Sequence, residues 1–163
     1  MRSDYHEIRC LLRRFSGAGL SVRPTLFLDR SGGKADVNYG VCGDCCDDII
    51  YRMRQYALPE YVHHVIFLGG ANDILQGRRI EDISRDYKRV LEWCEEKQYS
   101  LCVVLPFIST EKALNRQLLN LRQEAEHICG GKAFLLDLQA AIGLDAGARF
   151  KAYVDGIHPK SQT

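Results

Sequence analysis

Apolar positions along this chain recur with two alternating periods, one helical and one strand-like. Over residues 4–16, Tyr5, Ile8, Leu11, Leu12 and Phe15 keep helical spacing, and Gly17 supplies a stop. Thr25 to Leu28 reads as a short strand after Pro24, and the Gly-rich polar stretch 30–40 reads as a loop. A helix starting at Asp44 or Asp47 would carry Ile49, Ile50, Met53 and Tyr56. His64 to Leu68 is an apolar strand that runs into Gly69-Gly70.

The second half repeats the alternation. A helix from about Glu81 places Ile83, Tyr87, Val90, Leu91 and Cys94 on one face. Leu101 to Leu105 is a strand closed by Pro106. Thr110 is placed to cap a helix bearing Leu114, Leu118, Leu121, Ala125 and Ile128, which Gly130-Gly131 ends. Ala133 to Leu138 is the last clear strand, and residues 154–163 read as loop. Short, almost wholly apolar strands between amphipathic helices predict an α/β fold, with a parallel sheet covered on both faces. No repeat, low-complexity tract or linker interrupts the pattern, so residues 1–163 are read as one domain.

Composition narrows the classes of function. Lys+Arg 22 against Asp+Glu 21 leaves a formal charge of +1, which argues against gripping nucleic acid or anionic membrane by bulk charge. No apolar run approaches the roughly 20 residues of a membrane span, and the charged start, Met1 to Cys10, lacks a signal-peptide stretch. Seven cysteines cannot all pair, and Cys10, Cys94, Cys102 and Cys129 fall inside apolar periodic stretches, where Cys acts as a small hydrophobe. A reducing, cytoplasmic setting is the expectation.

In open parallel sheets, ligands bind beyond the carboxyl ends of the strands. Three segments there carry chemistry. Gly69-Gly70-Ala71-Asn72-Asp73 follows a strand; its glycines permit a tight turn, and Asn72 offers an amide donor of the kind that stabilises an oxyanion. Asp155-Gly156-Ile157-His158-Pro159 sets a carboxylate three residues before an imidazole, the base half of a nucleophilic triad. Asn38 to Asp44 leads into a helix through Gly43, whose backbone N–H lies at the favourable end of the helix dipole. Each segment alone also fits a plain turn or cap.

Together and in this order, Asn-x-Gly-x-x-Gly-Asp, Gly-Gly-x-Asn-Asp and Asp-x-x-His-Pro resemble the second, third and fifth sequence blocks of the SGNH or GDSL hydrolase family. Gly43 lies 29 residues before Asn72 and Asp155 lies 83 after it, intervals that suit a compact member. The resemblance implies a three-layer, flavodoxin-like fold and a GDSL-like esterase that cleaves an ester or thioester without metal or other cofactor. His158 would be the general base and Asp155 its orienting partner. Asn72 and Gly43 would form the oxyanion hole. The implied partner is a small-molecule ester; oligomeric state is open.

The family's first block, Gly-Asp-Ser, is absent. Ser31 follows an apolar strand but as Leu28-Asp29-Arg30-Ser31, and six residues separate it from Asn38, too few for a parallel crossover. Ser3 has a better interval to Gly43 and no strand before it. The nucleophile is therefore Ser31, Ser3, or a serine upstream of a chain that reads as shortened at both ends. The last case would leave a non-catalytic binding module on the same fold.

Cys42-Gly43-Asp44-Cys45-Cys46 offers a rival. A Cys-x-x-Cys at a helix start can lower a thiol pKa for redox work or form half a zinc site, although the second half of a zinc site is missing. Nucleotide binding has no glycine-rich phosphate motif in a suitable context. Arg13-Arg14 and Arg78-Arg79 read as solvated faces.

Overall fold

The computed structural model describes residues 25–27, 36–139, 147, 151–153 and 155–158. Its elements in chain order are β1 (Thr25–Phe27), β2 (Asp36–Asn38), α1 (Cys46–Gln55), β3 (His64–Phe67), α2 (Ala71–Leu75), α3 (Ile80–Glu96), β4 (Ser100–Val104), α4 (Lys112–Cys129) and β5 (Phe134–Leu136). The helix expected over 4–16 lies outside the described residues.

Strands β3, β4 and β5 form a parallel sheet in that order, with Ile66 opposite Cys102 and Cys102 opposite Phe134. Leu101, Val103 and Val104 of the central strand are buried, as near-continuous apolar composition requires of a strand inside such a sheet. On α3 the side chains of Ile83, Tyr87, Val90, Leu91 and Cys94 are all buried, matching the stripe read from their spacing. Leu118, Leu121, Ala125 and Ile128 do the same on α4. These two stripes share one core with Phe67, Leu101, Val103 and Leu105, and Cys46 and Ile50 of α1 extend it. Each fully buried large apolar side chain contributes about 1.5–3 kcal/mol, so the α3 and α4 stripes carry much of the fold.

The α/β reading holds, and element readings need correction at three places. Residues 30–40 do not read through as loop: β2 pairs antiparallel with β1, Leu26 opposite Val37, in a two-stranded sheet of its own. Eight residues separate β1 from β2, enough to return antiparallel and too few for a parallel crossover. Residues 25–27 therefore do not extend the parallel sheet. Ile66 and Phe134, exposed among the described residues, share one row of that sheet with Cys102.

The remaining corrections concern helix starts. Cys45, rather than Asp44 or Asp47, precedes the first turn of α1, and the Asp48 carboxylate accepts its N–H at 3.0 Å. Glu111, rather than Thr110, precedes α4, and Thr110 turns its N–H and hydroxyl to the carbonyl of Gly156. Gly130 ends α4 as expected.

Cys94 and Cys129 pack in the core, where burial raises both thiols to about 11. The six described cysteines are all unpaired with one another. No described helix is long and apolar enough to cross a membrane.

Candidate functional site

Beyond β3 the chain must turn sharply beneath neighbouring side chains. A Cβ at Gly69 would lie 2.9 Å from the Phe67 ring and 3.0 Å from Cys46 Sγ. Gly70 precedes α2 with φ +98°, and a Cβ there would lie 2.5 Å from Leu121 Cδ2. Both glycines are thus required, one by contact and one also by backbone conformation. The Tyr87 hydroxyl donates to the Gly69 carbonyl at 3.0 Å and fixes the turn from α3.

This turn delivers Asn72 to the segment before α1. Asn72 Nδ2 donates to the Asp44 carbonyl at 2.9 Å, and Gln76 Nε2 donates to the Gly43 carbonyl at 3.1 Å. A side-chain amide has two N–H groups, so one remains after the Asp44 bond has set its orientation. Gly43 has φ +86° and open space where a Cβ would stand. Of the neighbouring backbone donors, Asp44 bonds Val41, Cys45 bonds Asp48 and Cys46 bonds Asp73. Among the described residues the Gly43 N–H donates to no partner. Gly43 and Asn72, 29 residues apart in the chain, are therefore neighbours, each with a donor to spare.

Charge beneath this junction locks it. Asp73 is fully buried and accepts the Cys46 N–H with both oxygens, at 3.1 and 3.0 Å. Arg78 pairs with Asp73, with Asp86 at 2.8 Å and with Asp47 at 3.0 Å. Burial alone would lower the guanidinium's pKa; the hydrogen bond to Asp86 and the charges of Asp73 and Asp47 outweigh it and raise it. Asp47, Asp73 and Asp86 cluster closely, and Arg78 bonds all three carboxylates. The solvated-face reading thus fits Arg79, whose side chain is 72% exposed, and fails for Arg78.

Burial also reaches two of the thiols. Cys45 and Cys46 are buried, and desolvation followed by the Asp73 charge raises both thiols. Cys42 is exposed.

The second assembly lies beyond β4. Asp155 Oδ2 meets His158 Nδ1 at 2.7 Å, while Oδ1 accepts the backbone N–H of His158 at 2.8 Å and of Ile157 at 3.1 Å. The His158 backbone N–H, its ring and the Ile157 N–H hold the Asp155 carboxyl well below the usual carboxylate range. Because the folded-state pKa is lowered, the stability it confers is present above the ordinary value of about 3.9. That stability is lost as pH falls through the lower folded value. With Nδ1 engaged by Asp155, Nε2 is left outward, and among the described residues it has no hydrogen-bond partner.

Gly156, with φ +86°, shapes this turn and seats it: its carbonyl accepts the Thr110 N–H at 2.8 Å. The Tyr153 hydroxyl donates to the Ile108 carbonyl at 2.7 Å. The Asp155–His158 turn is thereby fixed to the loop following β4, next to the strand that Asn72 follows. No hydrogen bond among the described residues joins the two assemblies directly.

Ser31 and Ser3 lie outside the described residues. Of the described serines, Ser84 Oγ bonds Glu124 at 3.4 Å, and buried Ser109 Oγ bonds Asn115 at 2.9 Å. Sequence reading missed Arg78 and Asp73 as a unit, along with Thr110, Tyr153 and Gln139. Only Asp73 had a signal, as the last residue of Gly-Gly-x-Asn-Asp.

Comparison with known proteins agrees with this architecture. An acetylxylan esterase from Geobacillus stearothermophilus is similar at 17% identity with a TM-score of 0.67, over 80% of this chain and 67% of that one. A GDSL-like lipase from Bacteroides thetaiotaomicron is similar at 13% identity and TM-score 0.64, over 72% and 64% of the respective chains. The OSK domain of Drosophila Oskar is similar at 17% identity and TM-score 0.64, over 88% and 67%. At these identities the likeness is one of fold. No curated protein sequence matches the chain. The sequence profile of the GDSL-like lipase/acylhydrolase family, by contrast, matches residues 15–163, and the chain belongs to that family.

Proposed function

We propose that the chain hydrolyses a carboxylic or thio ester through a serine nucleophile, with His158 as base and Asn72 and Gly43 as oxyanion donors. The observation that carries this reading is the 2.7 Å contact between Asp155 and His158 Nδ1, which leaves Nε2 open. A carboxylate on Nδ1 fixes the tautomer with a lone pair on Nε2, the form that takes a proton from a hydroxyl. Asp155 then stabilises the imidazolium as the serine oxygen attacks the ester carbonyl. The same imidazolium returns the proton to the leaving alcohol or thiol. Water repeats the cycle and frees the acid.

In this reading the developing oxyanion takes the spare Asn72 amide N–H, the Gly43 N–H and the nucleophile's own N–H. Asp44 prealigns the Asn72 amide, so no reorganisation is needed as charge develops. Ser31 is proposed as the nucleophile. A non-catalytic module on the same fold is the second reading, favoured by the absence of a Gly-Asp-Ser block from this sequence.

Asn72→Ala tests the oxyanion role. Turnover of 4-nitrophenyl acetate is expected to fall about 10²–10³-fold with little change in KM. Loss of the Asp44 hydrogen bond costs only about 1 kcal/mol of stability, so the variant stays folded. A fall of less than about three-fold in the folded variant would leave Asn72 as a tether for the Asp44 segment and no more.

A further inference from the structure

The proposed base stands on an exposed turn. The Asp155 and His158 side chains are 53% and 65% exposed. Their mutual hydrogen bonds fix one to the other but not to the sheet. Among the described residues, contacts of Gly156 with Thr110 and of the Tyr153 hydroxyl with the Ile108 carbonyl, at 2.7 Å, tie the turn down. We propose that Tyr153 is a positioning residue for His158, the outer member of a hydrogen-bonded chain that runs from α4 to the Asp155–His158 turn.

The hydrogen bonds run on without a break. Ile108, which accepts from Tyr153, donates its own N–H to Gln139 Oε1 at 2.7 Å. Gln139 donates its backbone N–H to Asp137 Oδ1 at 2.9 Å. Asp137 Oδ2 meets Arg122 of α4 at 2.5 Å, and Arg122 also donates to the Pro106 carbonyl at 2.8 Å. Tyr153 and Gln139 are each 2% exposed and Arg122 is 9% exposed, while the Asp137 side chain that links Gln139 to Arg122 is half exposed. The buried links stiffen what they join, because breaking one strands a polar group away from water. The loops after β4 and β5 and the segment before Asp155 are thus tied to one helix.

The seat of the turn is equally close-fitting. A Cβ at Gly156 would fall 2.3 Å from Thr110 Oγ1. An ångström of displacement at a catalytic group can cost about 10²-fold in rate. Tyr153 lies two residues from Asp155 and touches no substrate in this scheme, so its role is to place the base.

This inference rests on reading Asp155 and His158 as the base, and its test separates the two. Tyr153→Phe removes one hydroxyl at nearly constant volume. It is compared with the parent and with His158→Ala by turnover of 4-nitrophenyl acetate, and by hydrogen exchange of the Thr110 amide, whose N–H holds the Gly156 carbonyl. Expected are a fall of about ten-fold in kcat with KM within two-fold, and faster exchange of that amide. Unchanged kcat and exchange, even with a lower Tm, would make Tyr153 purely structural and overturn the proposal. Faster exchange with unchanged kcat overturns it too. If Tyr153→Phe does not fold, Thr110→Val, with Thr110→Ser as the rescuing variant, carries the same comparison. A parent with no turnover above His158→Ala sinks the base reading, while the exchange still decides the anchoring.

Discussion

His158→Ala is expected to lower kcat/KM for 4-nitrophenyl acetate by about 10⁴-fold or more. The size follows from the double duty proposed for the residue: the imidazole would take the proton when serine attacks and give it to the leaving group. In that proposal Asp155 contributes only through His158, by the 2.7 Å contact between them. Asp155→Asn is therefore expected to be impaired in the same direction and not additively with His158→Ala. The Asp155 carboxyl is held well below the usual range and stays ionised through mildly acid pH, so it does not supply an acid limb in the rate profile near neutrality. Steady-state kinetics on the folded variant provide the check. A His158→Ala protein retaining a tenth of parental kcat/KM would remove the imidazole from the mechanism.

Arg78→Met is expected to cost about 3–5 kcal/mol of stability, the largest effect expected of any substitution away from the proposed base. Removing the guanidinium leaves fully buried Asp73 with no ion-pair partner among the described residues, while Asp86 keeps Arg89 at 2.7 Å. Hydrogen bonds from Cys46 N–H to Asp73 are too few to replace it. Against a typical domain stability of 5–15 kcal/mol, such a loss is a large share of the whole. Arg79→Met is the control: that side chain is 72% exposed and its pairing with Asp82 is a surface ion pair, worth under about 1 kcal/mol. Urea unfolding of both variants measures the difference. Equal small shifts would mean that Arg78 is as dispensable as its neighbour.

Where periodicity controls structure, the chain was legible. The stripes Ile83-Tyr87-Val90-Leu91-Cys94 and Leu118-Leu121-Ala125-Ile128 are buried as read, because a helix on a sheet buries one face and repeats its contacts at fixed spacing. The strand pairing of 25–27 with 36–38 was not legible, since Asp36-Val37-Asn38 has no apolar run to mark it. Gly43, Asn72, Asp155 and His158 were singled out by motif, and the contacts Asn72–Asp44 and Asp155–His158 give those motifs geometry. The contacts of Arg78, Thr110, Tyr153 and Gln139 were not legible for one reason. Their partners are mostly backbone carbonyls and N–H groups or carboxylates made neighbours by folding, and no spacing in the chain encodes such contacts. The doublet Arg78-Arg79 illustrates it: identical side chains, one gripping three carboxylates and one facing water.

Labelling with a fluorophosphonate probe, followed by digestion and mass mapping, tests the central claim most directly. Such a probe reacts with a serine only where a neighbouring base activates it. An adduct on Ser31 in the parent protein, lost in His158→Ala, is the result this account predicts. An adduct on Ser3 instead would keep the mechanism and change the nucleophile. No adduct on the folded parent, or equal labelling of parent and His158→Ala, would contradict the account and leave a GDSL-family fold without its chemistry.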